Sequence, residues 1–130
     1  MTYEETLHYL YTSIPVFQHS GASAYKPGLG TSIALDDYLG NPHKAYKTIH
    51  VAGTNGKGSV SHLLAAILRQ SGFKVGLYTS PHLVDFRERI RVNGKKISQD
   101  YVVDFVERHR SFFEPLHPSF FELATALAFL

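Results

Sequence analysis

The spacing of apolar residues changes between helical and strand-like periods along the chain. Apolar positions three and four residues apart predict helices, and short β-branched runs predict strands. Capping and turn residues set the limits of these elements: Thr2 and Glu5 have capping-box spacing, and Gly40, Asn41 and Pro42 should stop the second helix. The predicted helices cover residues 2–14, 31–39, 59–70 and 98–113 and continue from 119 onward; the predicted strands cover 47–52, 74–79 and a hairpin of 90–92 against 96–97.

The middle of the chain has the order strand, helix, strand. Residues 47–79 have about the length of a parallel crossover unit, in which a helix joins two parallel strands. Ligands of open parallel sheets lie at the carboxyl ends of the strands, so the loops after residues 52 and 79 should share one edge and bring Ser80 near Lys57. We therefore predict an α/β fold with a P-loop NTPase-like parallel sheet and flanking helices.

The predicted sheet is incomplete. Two parallel strands and a hairpin are fewer than such a sheet needs, and the apolar run after Ser119 contains no helix stop signal. We expect residues 1–130 to form the amino-terminal part of a larger ATP-binding domain and to end inside a helix.

The first crossover loop has the composition of a phosphate-binding loop. Residues 48–61 read T-I-H-V-A-G-T-N-G-K-G-S-V-S, with three glycines, Lys57 and Ser59 between a strand and a helix. Glycines bring backbone N–H groups close to phosphate oxygens, the helix N-terminus adds positive charge, and the lysine can reach the β- and γ-phosphates. The match to G-x-x-x-x-G-K-[ST] is imperfect, since Val51 replaces the first glycine and Gly58 is inserted before Ser59. A glycine-rich turn that binds nothing is the alternative.

Composition limits the partners and the compartment. The 130 residues include 44% hydrophobic and 18% charged positions, carry a formal net charge of +2 and contain no cysteine. These values predict a globular cytoplasmic protein without disulfides, and they give no indication of a nucleic-acid partner. No apolar run approaches the roughly 20 residues that span a bilayer, so no membrane association is expected.

Two further groups of polar residues have both a structural and a functional interpretation. Arg87, Arg89 and Arg91 could hold a carboxylate or phosphate, or could belong to a solvated strand. Glu122 stands three residues after Ser119, which is the spacing of a helix capping box. The residues between 16 and 30 show no period and predict a long loop.

Four motifs in order resemble the amino-terminal part of the folylpolyglutamate synthase/dihydrofolate synthase family, in the Mur ligase superfamily. They are H-V-A-G-T-N-G-K-G-S at 50–59, T-S-P-H-L at 79–83, R-E-R-I at 87–90 and F-E-L-A-T-A-L-A-F at 121–129. The inserted Gly58, which spoils the general P-loop pattern, is typical of this family.

The resemblance implies an ADP-forming ligase that joins L-glutamate to dihydropteroate or to folates through an acyl phosphate. It implies ATP and Mg²⁺ as cofactors, a monomer, and no membrane or nucleic-acid partner. Lys57 would be catalytic, Ser80 and Glu122 would ligate Mg²⁺, and His82 and Arg87 would contact the substrate. The ATP-binding residues would be Gly53, Thr54, Asn55, Gly56, Lys57, Gly58 and Ser59.

The resemblance also implies roles for two loops, and it implies active-site groups that this sequence does not contain. Residues 18–29 would close over the pterin, and residues 79–91 would form a mobile loop beside the folate site. Further active-site groups would lie beyond Leu130, so we expect the 130 residues alone to be inactive. Two alternatives remain: another Mur-type amino-acid ligase, and a nucleotide-binding module without catalysis.

Overall fold

The computed structural model describes residues 1–14 and 28–130. It divides into two compact units: the first comprises Met1–Lys47 and Asp100–Leu130, and the second comprises Thr48–Gln99. Most of the predicted long loop, and with it most of the segment expected to close over a pterin, lies outside the described residues.

The described residues form five α-helices and three short strands. The helices are α1 (Tyr3–Ser13), α2 (Gly30–Tyr38), α3 (Lys57–Gln70), α4 (Gln99–Phe113) and α5 (Phe120–Phe129); the strands are β1 (Gly76–Tyr78), β2 (Ile90–Val92) and β3 (Lys95–Lys96); 3₁₀ turns cover Pro42–Ala45, Phe86–Arg89 and Glu114–Leu116. No helix in the described ranges is long and apolar enough to cross a membrane.

The first unit is helical and has an apolar core. Tyr11 on α1 stacks on Phe120 of α5 with ring centroids 5.3 Å apart. On α4, Val102, Phe105 and Val106 are buried, whereas Val103 is only half-buried. The buried apolar residues of this unit are Leu10, Ile14, Leu35, Val102, Phe105, Val106, Phe113, Phe120, Leu123, Ala124, Ala126 and Leu127.

Capping residues set the helix ends of this unit as predicted. The Thr2 hydroxyl accepts from the backbone N–H of Glu5 at 3.1 Å, and the Glu5 carboxylate accepts from the N–H of Thr2 at 2.8 Å. This reciprocal pair satisfies two backbone donors that the first helical turn leaves without partners. Gly40 follows α2 with φ +87°, and Pro42 begins a 3₁₀ turn. The predicted capping box and helix stop are both confirmed.

The sheet of the second unit is antiparallel, with strand order β1-β2-β3. Leu77 pairs with Arg91, and Arg91 pairs with Lys96. The two-residue turn at Asn93 and Gly94 has φ values of +51° and +80°, as a type I′ hairpin requires. The predicted hairpin is confirmed. Its second strand is one residue earlier than expected, although the N–H of Ile97 still donates to the carbonyl of Ile90 at 3.1 Å.

The prediction of a paired first strand was wrong. Residues 47–52 belong to no strand in the described part of the chain, and β1 pairs antiparallel with β2. A crossover length indicates that two parallel strands can share a sheet, but it does not make them neighbours. β1 and β2 are joined by residues 79–89 and pair antiparallel, whereas two parallel neighbours need a crossover connection.

Helix α3 presents an apolar face that the described residues cover only in part: Leu64 and Leu68 are half-buried. Val60, Leu63 and Ile67 recur at helical spacing as predicted, yet their side chains are 46%, 64% and 60% exposed. No residue of α3 is buried. The predicted helix is confirmed, and its apolar residues are more exposed than their periodicity alone would suggest.

Candidate functional site

The glycine-rich loop of the second unit leads directly into α3. Gly56 has φ +79° and occupies the N-cap position, with no side-chain cap. The helix therefore begins at Lys57, two residues earlier than predicted, and Gly58 lies inside its first turn. The inserted Gly58 is therefore a residue of the helix and not of the preceding loop.

The first turn of α3 offers backbone donors. The first α-helical hydrogen bond runs from the N–H of Val60 to the carbonyl of Gly56 at 3.0 Å, so the preceding N–H groups have no acceptor within the helix. A Cβ placed on Gly58 would meet no atom within 4 Å. The space beside these donors is open, as the approach of an anion requires.

The Lys57 side chain folds over its own loop. Its ammonium group donates to the carbonyl of Gly53 at 2.6 Å and lies 3.4 Å from the carbonyl oxygen of Thr54. These bonds keep the positive charge beside the loop backbone instead of extending it into solvent. A phosphate at the helix N-terminus would be an alternative partner for the same ammonium group.

The loop after β1 contains Ser80 and His82. Ser80 is exposed, whereas His82 is half-buried and its Nδ1 accepts from the Nε of Arg89 at 2.7 Å. The Arg89 side chain is only 3% exposed. Partial burial, and next the charge of Arg89, lower the pKa of His82. A neutral imidazole with Nδ1 as acceptor carries its proton on Nε2.

Glu88 organises this loop and was missed by the sequence reasoning. Its carboxylate accepts from the backbone N–H groups of Leu83 at 2.9 Å, Val84 at 3.0 Å and Asp85 at 2.8 Å. Backbone hydrogen bonds, that of Asp85 first, lower the pKa of Glu88 to about 2. The sequence carries a signal, because Asp85 and Glu88 have capping-box spacing and form one in the structure.

Arg87 is engaged inside the second unit. One guanidinium nitrogen lies 3.0 Å from the carboxylate of Asp85, and another donates to the carbonyl of Ile97 at 3.1 Å. Lys96 lies 3.5 Å from the same Asp85 carboxylate. These contacts tie the hairpin to the 3₁₀ turn, so the observed role of Arg87 is structural. Substrate contact by Arg87 stays a prediction.

Glu122 lies in the first unit, at the start of α5. Its Oε1 accepts from the N–H of Ser119 at 2.9 Å, and its backbone N–H donates to the Ser119 hydroxyl at 3.1 Å. The capping-box interpretation is therefore confirmed. Oε2 accepts from the Ser32 hydroxyl at 3.3 Å. Since a carboxylate oxygen has more than one acceptor position, this geometry is compatible with a metal ligand as well.

The predicted site residues are divided between the two units. Lys57, Ser80, His82 and Arg87 are in the second unit, whereas Glu122 is in the first. Within residues 1–14 and 28–130, no three His, Asp or Glu side chains gather as a metal site.

Known proteins of one kind resemble this chain over most of its length. No protein-family model matches the chain. A probable bifunctional folylpolyglutamate synthase/dihydropteroate synthase of Haloferax volcanii is 42% identical over 135 residues, covering 98% of this chain and 15% of that protein. The dihydrofolate synthase/folylpolyglutamate synthase of Bacillus subtilis is 42% identical over 111 residues, covering 81% of this chain and 26% of that protein. The folylpolyglutamate synthase of Thermotoga maritima has a TM-score of 0.85 at 46% identity, covering 98% of this chain and 29% of that one.

The resemblance to folylpolyglutamate synthase is confirmed. The matches lie in the amino-terminal part of these Mur-ligase-type proteins, and the chain spans less than a third of the length of each of the three. The fold class is confirmed as well, since a second neighbour, from Lactobacillus casei, has a TM-score of 0.82 at 35% identity. The short antiparallel sheet is then a small portion of a mixed α/β architecture.

Proposed function

We propose that the protein containing this chain is an ADP-forming ligase that adds L-glutamate to dihydropteroate, to folates, or to both. The observation that carries the proposal is the uncapped N-terminus of α3, with Lys57 beside it and open space at Gly58. Relatives solved as an AMPPCP complex and as an AMPPCP–folate complex support a nucleotide and a folate as ligands.

Residues 53–59 would act as a P-loop. Their N–H groups, from Gly53 to Ser59, would hold the triphosphate of ATP. Lys57 would leave the Gly53 carbonyl and neutralise charge on the γ-phosphoryl group during its transfer. The 2.6 Å bond from the Lys57 ammonium group to the Gly53 carbonyl supports this role, because the charge already lies beside the loop backbone.

The reaction needs an activated carboxylate. An amine attacks a free carboxylate very slowly because the oxide leaving group is too poor. Transfer of the γ-phosphoryl group to the substrate carboxylate gives an acyl phosphate and ADP. The amine of glutamate then attacks the acyl carbon and phosphate leaves. The protein chiefly supplies positioning and charge neutralisation in this scheme.

Ser80 and Glu122 would ligate Mg²⁺. The ion, when bound, would offset negative charge on the phosphate oxygens. A hydroxyl and a carboxylate are oxygen donors suited to it, and the exposure of Ser80 leaves its hydroxyl accessible. We further propose that the enzyme works in the cytoplasm as a monomer on these small substrates.

The test is ADP release by the full-length protein that contains this sequence. Mg-ATP and L-glutamate are supplied with and without dihydropteroate or tetrahydrofolate. We expect release to depend on a pterin substrate, and Lys57→Ala to reduce the rate by on the order of 100-fold or more. Lys95→Ala, which removes an exposed lysine of the same unit, is the matched control and should keep the wild-type rate.

The same assay distinguishes the alternatives. ATP turnover that ignores both pterins but responds to another carboxylate would indicate a different Mur-type ligase. Calorimetric binding of ATP without turnover, unaffected by folate, would indicate a non-catalytic nucleotide-binding module. Either result would refute the proposed activity.

Glu122→Gln tests the metal role. The Gln amide oxygen can still accept from the N–H of Ser119, so the cap and the stability should persist while the Mg²⁺ concentration for half-maximal rate rises about tenfold or more. Ser119→Ala is the converse variant: it should lose about 0.5–2 kcal/mol of stability and keep the Mg²⁺ dependence. A wild-type Mg²⁺ dependence in Glu122→Gln would contradict the assignment.

A further inference from the structure

The loop between β1 and the following 3₁₀ turn is fixed by hydrogen bonds instead of burial. Leu83 and Val84 are 91% and 90% exposed, so apolar packing of their side chains does not hold the backbone in place. Their N–H groups instead donate to the Glu88 carboxylate. Three backbone donors converge on this one side chain.

A helix cap alone does not require this arrangement. In a capping box the N3 carboxylate accepts from the N-cap N–H, which here is that of Asp85. The bonds from Leu83 and Val84 are additional and extend the contact two residues back into the loop. Charge-assisted bonds of this kind are stronger than neutral ones, so the carboxylate is a firm anchor.

The other end of the loop is anchored to Arg89, the residue after Glu88. The N–H of Thr79 donates to the Arg89 carbonyl at 2.8 Å, and the Arg89 side chain donates to His82. Arg89 is buried and belongs to the same 3₁₀ turn as Glu88. Consecutive residues of one turn thus hold the loop at both ends, with Ser80 between the two anchors.

We propose that Glu88 is a positioning residue of the ligase, which fixes the loop of residues 79–85 so that Ser80 and His82 are presented in one conformation. The inference rests on the proposed function. In this proposal Glu88 acts through the backbone of Leu83, Val84 and Asp85 and not through contact with substrate or metal. A loop ordered in advance lowers the cost of arranging ligand groups when substrates bind.

The test compares Glu88→Gln with wild type in the full-length protein. A Gln amide has a single acceptor oxygen and presents an NH₂ group, so it cannot accept all three bonds. Amide hydrogen exchange of Leu83 and Val84 should become about tenfold faster or more. The rate constant kcat should fall about tenfold or more, and the Mg²⁺ concentration that gives the half-maximal rate should rise. Mutation of residues that hold a metal ligand in place commonly has effects of about this size.

Separate readouts distinguish positioning from general stability. The affinity for ATP measured in EDTA should stay within about twofold, since the Glu88 carboxylate bonds the backbone of residues 83–85 and the ATP loop covers residues 53–59. Glu88→Asp retains the charge with a shorter side chain and should recover part of the rate. Glu4→Gln, an exposed substitution in α1, should match wild type in every readout.

Several results would overturn the inference. If amide hydrogen exchange of Leu83 and Val84 in Glu88→Gln stays at the wild-type rate, Glu88 does not order the loop. Faster exchange with unchanged kcat and Mg²⁺ dependence would show that loop order is irrelevant to the site. If Glu88→Gln fails to fold, the Glu88 carboxylate is required for the stability of the protein and not specifically for positioning the loop. Absence of pterin-dependent ADP release in wild type would refute the ligase, while the exchange measurement would still report on the anchor.

Discussion

Two glycines at the start of α3 should respond in opposite directions to the same substitution. Gly56 has φ +79° and would meet nothing with an added Cβ, so alanine there is strained by backbone conformation alone. The left-handed region costs a residue with a Cβ roughly 1–2 kcal/mol. Gly56→Ala should therefore destabilise the protein by about that amount.

Gly58 is in the same loop motif but lies within the helix, where its backbone needs no left-handed conformation. Alanine is favoured over glycine in a helix by about 0.5–1 kcal/mol, and the open space at Gly58 admits its methyl group without a clash. Gly58→Ala should stabilise the protein by up to that amount. The two variants should thus differ by about 2 kcal/mol.

Urea denaturation followed by circular dichroism measures both changes, as shifts of the midpoint at a common m-value. ATP affinity is measured in parallel, because a methyl group on Gly58 would stand where phosphate should approach the helix N–H groups. We expect Gly58→Ala to bind ATP more weakly while being more stable. Destabilisation by Gly58→Ala, or unchanged ATP affinity, would refute the view that this glycine serves the ligand and not the fold.

Other predictions concern single contacts. Since the pKa of Glu88 is lowered to about 2 from an ordinary 4.5, its contribution to stability is full above pH 4.5 and is lost as pH falls toward 2, which nuclear magnetic resonance titration of the loop amides would detect. Thr2→Ala should cost about 0.5–2 kcal/mol by loss of the α1 cap, measured by urea denaturation. Phe113→Ala, at a side chain with 0% exposure, should cost about 3–5 kcal/mol, whereas Phe121→Ala, at 53% exposure, should cost much less by the same measurement. Gly94→Ala, at φ +80° in the hairpin turn, should cost roughly 1–2 kcal/mol.

Local chemistry made the helices and the hairpin predictable. The caps at Thr2 and Ser119 and the Asn93-Gly94 turn act over a few residues, so their sequence signals are sufficient to place them. Strand pairing is a tertiary property, and the strand predicted from the local pattern over residues 47–52 was wrong. The predicted start of α3, at residue 59, lies two residues after the observed start at Lys57, because the glycine pattern places Gly58 in the turn.

Predicting the site was limited by a similar ambiguity. Glu88 and Glu122 both occupy the third position of a capping box, and both carboxylates do cap their turns. Yet one also binds the N–H groups of Leu83 and Val84, and the other also accepts from Ser32. Sequence spacing predicts the bond that every capping box makes, but not the additional contacts, which depend on segments remote in the chain or on the path of a loop.

The same ambiguity explains why stability and function have to be separated by isosteric variants at these turns. A helix start has unpaired N–H groups and attracts anions, so a carboxylate, a phosphate or a loop carbonyl can all be stabilised there. Truncating Glu88 or Glu122 to alanine would remove the cap and any functional contact together. Glutamine preserves one acceptor oxygen while removing the charge and the second acceptor. If Gln at 122 changes only Mg²⁺ dependence, whereas Gln at 88 also releases the loop amides, then the two capping boxes have different roles: a ligand in one and an anchor in the other.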